Sequence, residues 1–145
     1  MITFRTPTVP DIAHIANNLR RGDYEEIEAL GEKPFEAIMD GYLYGQTKVA
    51  CLDKPICIFG VTDHGPAGQI WMLGTDDIRR VPVEFCKKSK QIVDEYQQQY
   101  EVLWNIIDCR NTGNIAWLKW LGFEFGDPFN HGPAGYQFME FSRWQ

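Results

Sequence analysis

The sequence has no excess of basic residues. Its 145 residues include 14 Lys and Arg against 20 Asp and Glu, for a formal net charge of −6. A protein that binds duplex nucleic acid through phosphate contacts needs a clustered surplus of Lys and Arg. The basic clusters, such as Arg79-Arg80 and Lys87-Lys88 with Lys90, are short. We therefore expect no nucleic-acid partner.

Long apolar runs and metal-binding spacings are also missing. No stretch approaches the length needed to span a bilayer, and Met1–Arg5 lacks the basic start and apolar run of a signal peptide. The cysteines show no CxxC or Cys/His spacing that would close a zinc site, so we expect free thiols and no metal. These absences favour a protein of the reducing cytoplasm with no membrane partner.

The size and composition fit one folded unit. A chain of this length buries about two thirds of the surface that its unfolded form exposes, which is enough for a stable core without disulfides or structural metals. Hydrophobic residues make up 44% of the sequence, and no repeat, low-complexity tract or long linker interrupts it. We predict a single domain over residues 1–145.

The first third of the chain predicts one strand and three helices. Ile2–Arg5 is a short strand, and Thr8 with Asp11 forms a capping-box pattern that starts the first helix. Asp23 and Glu26 repeat that start signal for a second helix. Pro34 begins a third helix.

The middle of the chain is rich in strand-forming residues. Lys48–Leu52 and Ile56–Val61 form a hairpin, and a loop over Asp63–Gly68 leads to a third strand, Gln69–Leu73. After Pro82, apolar residues recur at helical spacing among Lys, Gln and Glu, which predicts a long amphipathic helix.

The last third predicts a strand, a helix and two closing strands. Val102–Ile107 is an apolar strand, and Thr112–Leu121 is a helix that Gly122 terminates. Phe123–Phe125 and Tyr136–Phe141 are strands joined by a Gly/Pro-rich loop. The predicted fold is α/β of the α+β kind, with a central, mixed, mostly antiparallel sheet of about six to seven strands flanked by helices.

The order of elements resembles that of the GNAT superfamily of N-acetyltransferases. Leu103–Asn111 followed by Ile115–Phe123 is similar to the closing signature of that family, a strand, an asparagine, a helix and then Leu-Gly-Phe. The blocks Leu19–Ala29 and Ile70–Asp76 further resemble phage-encoded GNAT-like proteins, some of which are internal virion or core proteins of short-tailed phages.

The resemblance implies a binding site for acetyl-CoA. In the family, two neighbouring strands splay apart and the pantetheine arm pairs with their exposed backbone; here these are Gln69–Leu73 and Val102–Ile107. It also implies that an N–H group near Leu73 or Gly74 stabilises the developing oxyanion, and that Asn111 contacts the arm. Asn111 fits a helix start equally well. Asn105 must be satisfied by the opened sheet or by a ligand.

The resemblance places the pyrophosphate on the turn that follows the third strand. That turn starts at Gly74-Thr75 and includes Asp76 and Asp77, unlike the family's glycine-rich pattern. Arg79 and Arg80 are the residues that could offset the two aspartates at this cofactor site.

Two carboxylates are candidates for the catalytic base. Glu26 and Asp23 belong to the early helices, which border the acceptor side of the cleft in this family. A capping box formed by the same two residues, with Arg20 paired to them on the surface, is the alternative. The leaving thiolate lacks its usual acid, because Leu118 occupies the position where many relatives have tyrosine, and leucine cannot donate a proton.

Two functions are consistent with these observations. One is a phage-type N-acetyltransferase that transfers the acetyl group of acetyl-CoA to an amine by direct attack, with a cationic acceptor favoured. The other is a catalytically degenerate GNAT-fold phage protein that acts in virion assembly or binds a host protein. We expect host cytoplasm or virion association. A partner surface would use exposed aromatics among Trp117, Trp120, Phe129 and Trp144, and the terminal strand Phe141–Trp144 could pair across a homodimer.

Overall fold

One sheet organises the chain, and a computed structural model describes all residues from 1 to 145. The strands are Thr3–Arg5 (β1), Gln46–Cys51 (β2), Pro55–His64 (β3), Ala67–Gly74 (β4), Val102–Asp108 (β5), Glu124–Phe125 (β6), Phe129–His131 (β7) and Tyr136–Trp144 (β8). The helices are Val9–Asn17 (α1), Arg21–Ala29 (α2), Pro34–Tyr44 (α3), Pro82–Gln99 (α4) and Thr112–Trp120 (α5). A 3-10 helix, Asp76–Arg80, connects β4 to α4.

The sheet has the mixed, mostly antiparallel topology that the sequence predicts. Its order is β1-β2-β3-β4-β5-β8-β6, with β7 paired to β8, and only the β4–β5 pair is parallel. It contains eight strands, because β7 lies inside the segment expected to be a loop. The expected loop over residues 63–68 is also shorter, since β3 and β4 continue their pairing to His64 and Ala67.

The parallel pair separates soon after it begins. Pairing between β4 and β5 covers only Ala67–Gln69 with Val102–Trp104, after which the strands diverge. β5 pairs with β8 along its whole length, so the gap lies on its β4 side alone. The predicted splay is therefore present, and it sets the position of the candidate site.

Helix starts follow the predicted signals with one exception. Thr8 and Asp11 form the capping box of α1, and Pro34 and Pro82 occupy the first positions of α3 and α4. The N-cap of α2 is Arg20, which makes no side-chain capping bond. The prediction that Asp23 caps α2 is therefore wrong, because its carboxylate turns inward to other partners.

Two helical layers cover the sheet. Helices α1 and α3 pack on one face through a cluster of buried isoleucines: Ile12, Ile15, Ile38 and Ile58. Helices α4 and α5 pack on the other face around Val93, Leu103, Leu118 and Phe141. No helix of the chain combines the length and apolar character needed to cross a membrane.

The terminal strand is not a free edge. β8 pairs with β5 over Phe138–Trp144 and with β6 at Phe141 and Ser142. Both edges of Phe141 and Ser142 already have neighbours, whereas Arg143 and Trp144 pair with β5 alone, so pairing of this segment across a homodimer stays a prediction and would use Arg143 and Trp144.

Candidate functional site

A cleft of about 580 Å³ opens where β4 and β5 diverge. Its lining comes from both strands, from α2 and α3 on one face of the sheet, and from α4 and α5 on the other. We call the part of the cleft lined by α2 and α3 the α3 side, and the part lined by α4 and α5 the α4 side. A volume of this size is typical of small-molecule sites.

Asn105 fills the first gap between the diverging strands. Its Nδ2 donates to the Ile70 carbonyl at 2.7 Å, and its Oδ1 accepts from the Ile106 N–H at 2.8 Å and from Gln69 Nε2 at 3.3 Å. The side chain therefore replaces the missing strand-to-strand bonds at this point. The opened sheet thus satisfies Asn105 without a ligand.

Asp23 occupies the far end of the splay. Its carboxylate is 2% exposed and accepts from the Gly74 N–H at 2.9 Å and from Arg20 Nη2 at 2.8 Å. Asn111 Nδ2 and Asn114 Nδ2 also donate to it, at 3.3 and 3.0 Å. These residues, from α2, β4 and the start of α5, form a buried cluster that we call the Asp23 cluster.

The Asp23 cluster changes three expectations. Arg20 does pair with Asp23, yet the pair is buried, with the arginine side chain 20% exposed. Asn111 stands at the N-cap position of α5 but makes no capping bond, because its amide faces Asp23. Asp23 has no free lone pair directed into the cleft and does not fit the role of a base.

The N–H expected to serve an oxyanion is already used. The Gly74 N–H donates to Asp23, and the Gly74 carbonyl accepts from the Arg20 N–H at 2.8 Å. Backbone groups alternate in direction along a strand, so the Leu73 N–H and carbonyl face β3, where Leu73 pairs with Ile58. By the same alternation, Met72 presents its backbone groups to the splay.

Glu26 is the one predicted catalytic residue that lines the cleft. Its carboxylate accepts from the Asp108 N–H at 2.9 Å, at the end of β5. Burial, with smaller contributions from the nearby Asp23 and Asp108 carboxylates, raises the pKa of Glu26 to about 7. Helix α2 directs Glu26 into the cleft and Asp23 into the cluster, so the two carboxylates have different surroundings.

The turn expected to bind pyrophosphate is closed by its own residues. Thr75 Oγ1 accepts from the Asp77 N–H at 3.3 Å, and the Ile78 N–H donates to the Thr75 carbonyl at 3.3 Å. Arg80 pairs with Asp53 at 3.0 Å, and Arg79 lies 3.9 Å from Asp76. Neither the backbone amides nor the arginines of this turn converge on an open anion site.

Leu118 is a buried residue of the core. It is buried with Leu103 and Phe141 and also lines the cleft. The nearby tyrosine of α4, Tyr96, has a pKa raised to about 12 by burial, which opposes proton release at neutral pH.

The α3 side of the cleft is acidic and has an aromatic wall. Glu32 and Asp40 line it together with Glu26, and burial beside Asp40 raises the pKa of Glu32. The Trp71 ring lies against Gly41 and Gly60, where an added Cβ would come within 2.6 and 3.2 Å of it. These glycines therefore allow the ring to lie in the wall.

Several cleft residues have no distinctive sequence signal. Asn114 is the exception, because it stands three positions after Asn111 on a helix and can share a partner with it. Glu32, Asp40, Lys88 and Trp117 reach the cleft only through tertiary packing. Of the aromatics considered for a partner surface, Trp120, Phe129 and Trp144 are exposed and Trp117 is half-buried in the cleft.

The residues present do not fit acetyl-CoA at two points. The Gly74 N–H at the acyl end is paired with a buried carboxylate, and the turn at the phosphate end is closed by Thr75 and bears Asp76 and Asp77. Asn105 and Glu26 also satisfy backbone groups of the splay that a pantetheine arm would otherwise pair with. The fold keeps the cleft, and part of its polar edge already has internal partners, while the backbone groups of Met72 face the splay.

Comparison with solved structures shows the fold. The ribosomal-protein-S18-alanine N-acetyltransferase of Escherichia coli superposes with a TM-score of 0.72 and 12% identity, over 98% of this chain and 92% of that one. An acetyltransferase of the GNAT family from Streptococcus pneumoniae gives 0.63 and 12%, over 99% of each chain. Spermidine N-acetyltransferase from Vibrio cholerae, in complex with CoA and spermine, gives 0.67 and 11%, over 99% and 95%. The chain therefore has the GNAT fold.

Sequence comparison gives a different kind of relative. The chain is 26% identical over 84 residues to the probable scaffold protein gp13 of Escherichia phage T7, a match over 54% of this chain and 61% of that protein. The chain thus spans less than two thirds of the curated relative's length. No protein-family model matches the sequence.

Proposed function

We propose that the chain is a GNAT-fold phage protein that acts by binding other proteins in virion assembly, without acetyl transfer. The observation that carries this proposal is the bond from the Gly74 N–H to Asp23. It places a buried carboxylate of the chain where an enzyme of this fold would need a free donor.

The energetics of the Asp23 cluster support the proposal. A carboxylate held by Arg20, two asparagine amides and a backbone N–H cannot leave without exposing several buried donors. Breaking a buried pair of this kind typically costs about 3–5 kcal/mol. A thioester would have to overcome that cost before its carbonyl reached Gly74.

The assembly role draws on the similarity to the phage T7 scaffold protein and on exposed aromatics. Trp120 and Trp144 are 57% and 68% exposed, and aromatic side chains are enriched in protein interfaces. Mass spectrometry of gradient-purified particles and assembly intermediates of the encoding phage tests this role. Stoichiometric presence supports it, and absence from every particle contradicts it.

The second candidate is a phage-type N-acetyltransferase that uses acetyl-CoA and an amine acceptor in the host cytoplasm. Glu26 favours it, since a half-buried carboxyl in a cleft with a pKa near 7 suits a general base. The acids Glu32 and Asp40 favour a cationic amine on the α3 side. Arg79 and Arg80 would have to leave their exposed pairs to reach a phosphate group.

Calorimetry with acetyl-CoA separates the two candidates. We expect no heat of binding at millimolar acetyl-CoA, and no acetylated product with spermine as a probe amine. Binding at a hundredfold excess over Kd would stabilise the fold by about 2.7 kcal/mol. Turnover that disappears in Glu26→Gln, while Glu25→Gln retains it, would establish the enzyme instead.

A further inference from the structure

The α4 side of the cleft differs chemically from the α3 side. Its walls are apolar side chains from β1, β3, β4, α4 and α5: Phe4, Phe59, Met72, Phe85, Ile92 and Trp117. A cavity with walls of this kind lowers its free energy by taking up apolar matter, because water finds few partners there.

Lys88 is the charged residue that lines this side. It is half-buried on α4, between Phe85 one turn before it and Ile92 one turn after it. Lys90, two residues further along α4, pairs with Asp94, which also pairs with Arg143. Glu84, one turn before Lys88, accepts from the Ile2 N–H at 2.8 Å, and Lys88 has no carboxylate within ion-pair distance.

Trp117 of α5 lines the same side of the cleft as Lys88. The Trp117 indole N–H is buried without an acceptor, and its ring lies 5.5 Å from the Phe85 ring, one helical turn from Lys88. The Trp117 ring thus contributes to the apolar wall next to Phe85. An ammonium without an acidic partner at the side of an apolar cavity is suited to an anionic head group.

We propose that the α4 side of the cleft binds an aliphatic carboxylic acid. Its hydrocarbon chain lies under α4 against Phe59, Met72 and Ile92, and its carboxylate accepts a hydrogen bond from the Lys88 ammonium. The site does not depend on the assembly role, because it uses neither the Asp23 cluster nor the exposed aromatics.

The charges of the cleft favour this ligand over a cationic amphiphile. The acids Glu26, Glu32 and Asp40 lie on the α3 side, whereas Lys88 alone is charged on the α4 side. A carboxylate bound through a charge-assisted hydrogen bond gains more than a neutral head group would.

Calorimetry with decanoate as the probe tests the site on the full chain. We expect saturable one-to-one binding of decanoate, and binding of decyltrimethylammonium, which has the same chain and the opposite charge, at least about tenfold weaker. Equal affinity for the two probes, or no binding of decanoate at millimolar concentration, would overturn the proposal.

Two lysines on α4 give a matched pair of variants. Lys88→Met keeps the length of the side chain and removes the charge, and we expect it to weaken decanoate binding about tenfold or more. Lys87→Met alters an exposed lysine of the same helix and should leave the affinity unchanged. Affinities that fall equally in both variants, or in neither, contradict the site.

A filling variant locates the hydrocarbon chain. Ile92→Trp places an indole in the apolar chamber and should abolish decanoate binding, with circular dichroism and Tm confirming the fold. Unchanged binding by a folded Ile92→Trp protein places the ligand elsewhere. If this variant does not fold, the decanoate affinities of Lys88→Met and Lys87→Met still test the proposed site.

Discussion

Asp23 lies buried at the far end of the splay, Lys88 lines the α4 side of the cleft, and their surroundings are opposite. Asp23 is buried and accepts hydrogen bonds from a side chain or backbone group of three different elements. Lys88 is half-buried against apolar residues and has no acidic partner. The Gly74, Ile106 and Asp108 N–H groups at the splay thus have internal partners, while the chamber under α4 has apolar walls. A fold can keep the shape of a ligand cleft after its polar contacts have been reassigned.

The largest change in the free energy of unfolding is expected from Asp23→Asn, in the Asp23 cluster. Every partner of Asp23 is a donor, so an asparagine must direct its NH2 group at another donor and leave Arg20 without its counter-charge. We expect the free energy of unfolding to fall by about 3 kcal/mol in urea titrations. Glu25→Gln changes a partly exposed acid on the same helix, paired with Arg21 and Arg110 at the surface, and should cost less than about 1 kcal/mol. Similar small losses for both variants would remove the Asp23 cluster as a structural element.

A smaller loss is expected where Asn105 bridges the strands. Asn105→Leu removes the partner of the Ile70 carbonyl and of the Ile106 N–H, and should lower the free energy of unfolding by about 1–3 kcal/mol. Amide exchange should accelerate at Ile106 more than elsewhere in β5. Gln69→Leu removes a 3.3 Å contact to the same amide and an exposed contact to His64, and serves as the control. Unchanged Ile106 exchange would mean that another group satisfies this edge.

The pH dependence of stability isolates Glu26. Its pKa is raised from 4.5 to about 7 in the folded state, so between these values only the folded protein holds the proton. The contribution of Glu26 is therefore complete below pH 4.5 and is lost as the pH rises to 7. At pH 8 we expect Glu26→Gln to be more stable than the natural sequence by about 1–2 kcal/mol, allowing for its partial exposure.

The same comparison at pH 5 is the control for Glu26. There the difference between the two proteins should shrink, because the folded natural sequence holds its proton and the Gln side chain keeps the bond from the Asp108 N–H. Asp11, whose pKa is lowered to about 2 chiefly by its bond from Arg5, acts in the opposite direction at lower pH and equally in both proteins. A constant difference from pH 5 to pH 8 would contradict the raised pKa of Glu26.

The smallest change in the free energy of unfolding is expected at Lys88, on the α4 side of the cleft. Because Lys88 has no acidic partner, Lys88→Met should change the free energy of unfolding of the ligand-free protein by less than about 0.5 kcal/mol. Thermal unfolding alongside Lys87→Met measures this directly. A loss above about 1 kcal/mol would show that Lys88 is needed for the fold itself and would weaken the contrast with Asp23.

Local signals in the sequence predicted much of the fold. Thr8 with Asp11 marked the start of α1, and Gly122, at a φ of +96°, marked the end of α5. The same local logic failed at Asp23, where a capping-box pattern gave way to long-range partners. Residues 51 and 88 positions away along the chain supply those partners, and no local pattern can reveal them.

The candidate site was predicted in position more than in chemistry. The splay beside Asn105 and the place of Glu26 on the cleft follow from the resemblance and are present in the structure. The closing of the Gly74 end and the exposure of Lys88 to an apolar chamber depend on how helices pack on the sheet. Such contacts are set by tertiary structure, which explains why sequence reasoning missed them.

An amide-resolved NMR titration with acetyl-CoA tests the central claim most directly. The claim is that Asp23, Asn105 and Glu26 already satisfy the backbone N–H groups of Gly74, Ile106 and Asp108. We predict that these three amide resonances stay in place, and remain protected from exchange, at millimolar acetyl-CoA. Saturable shifts of the Gly74 and Ile106 amides would show that a ligand displaces the internal partners, and would contradict the account.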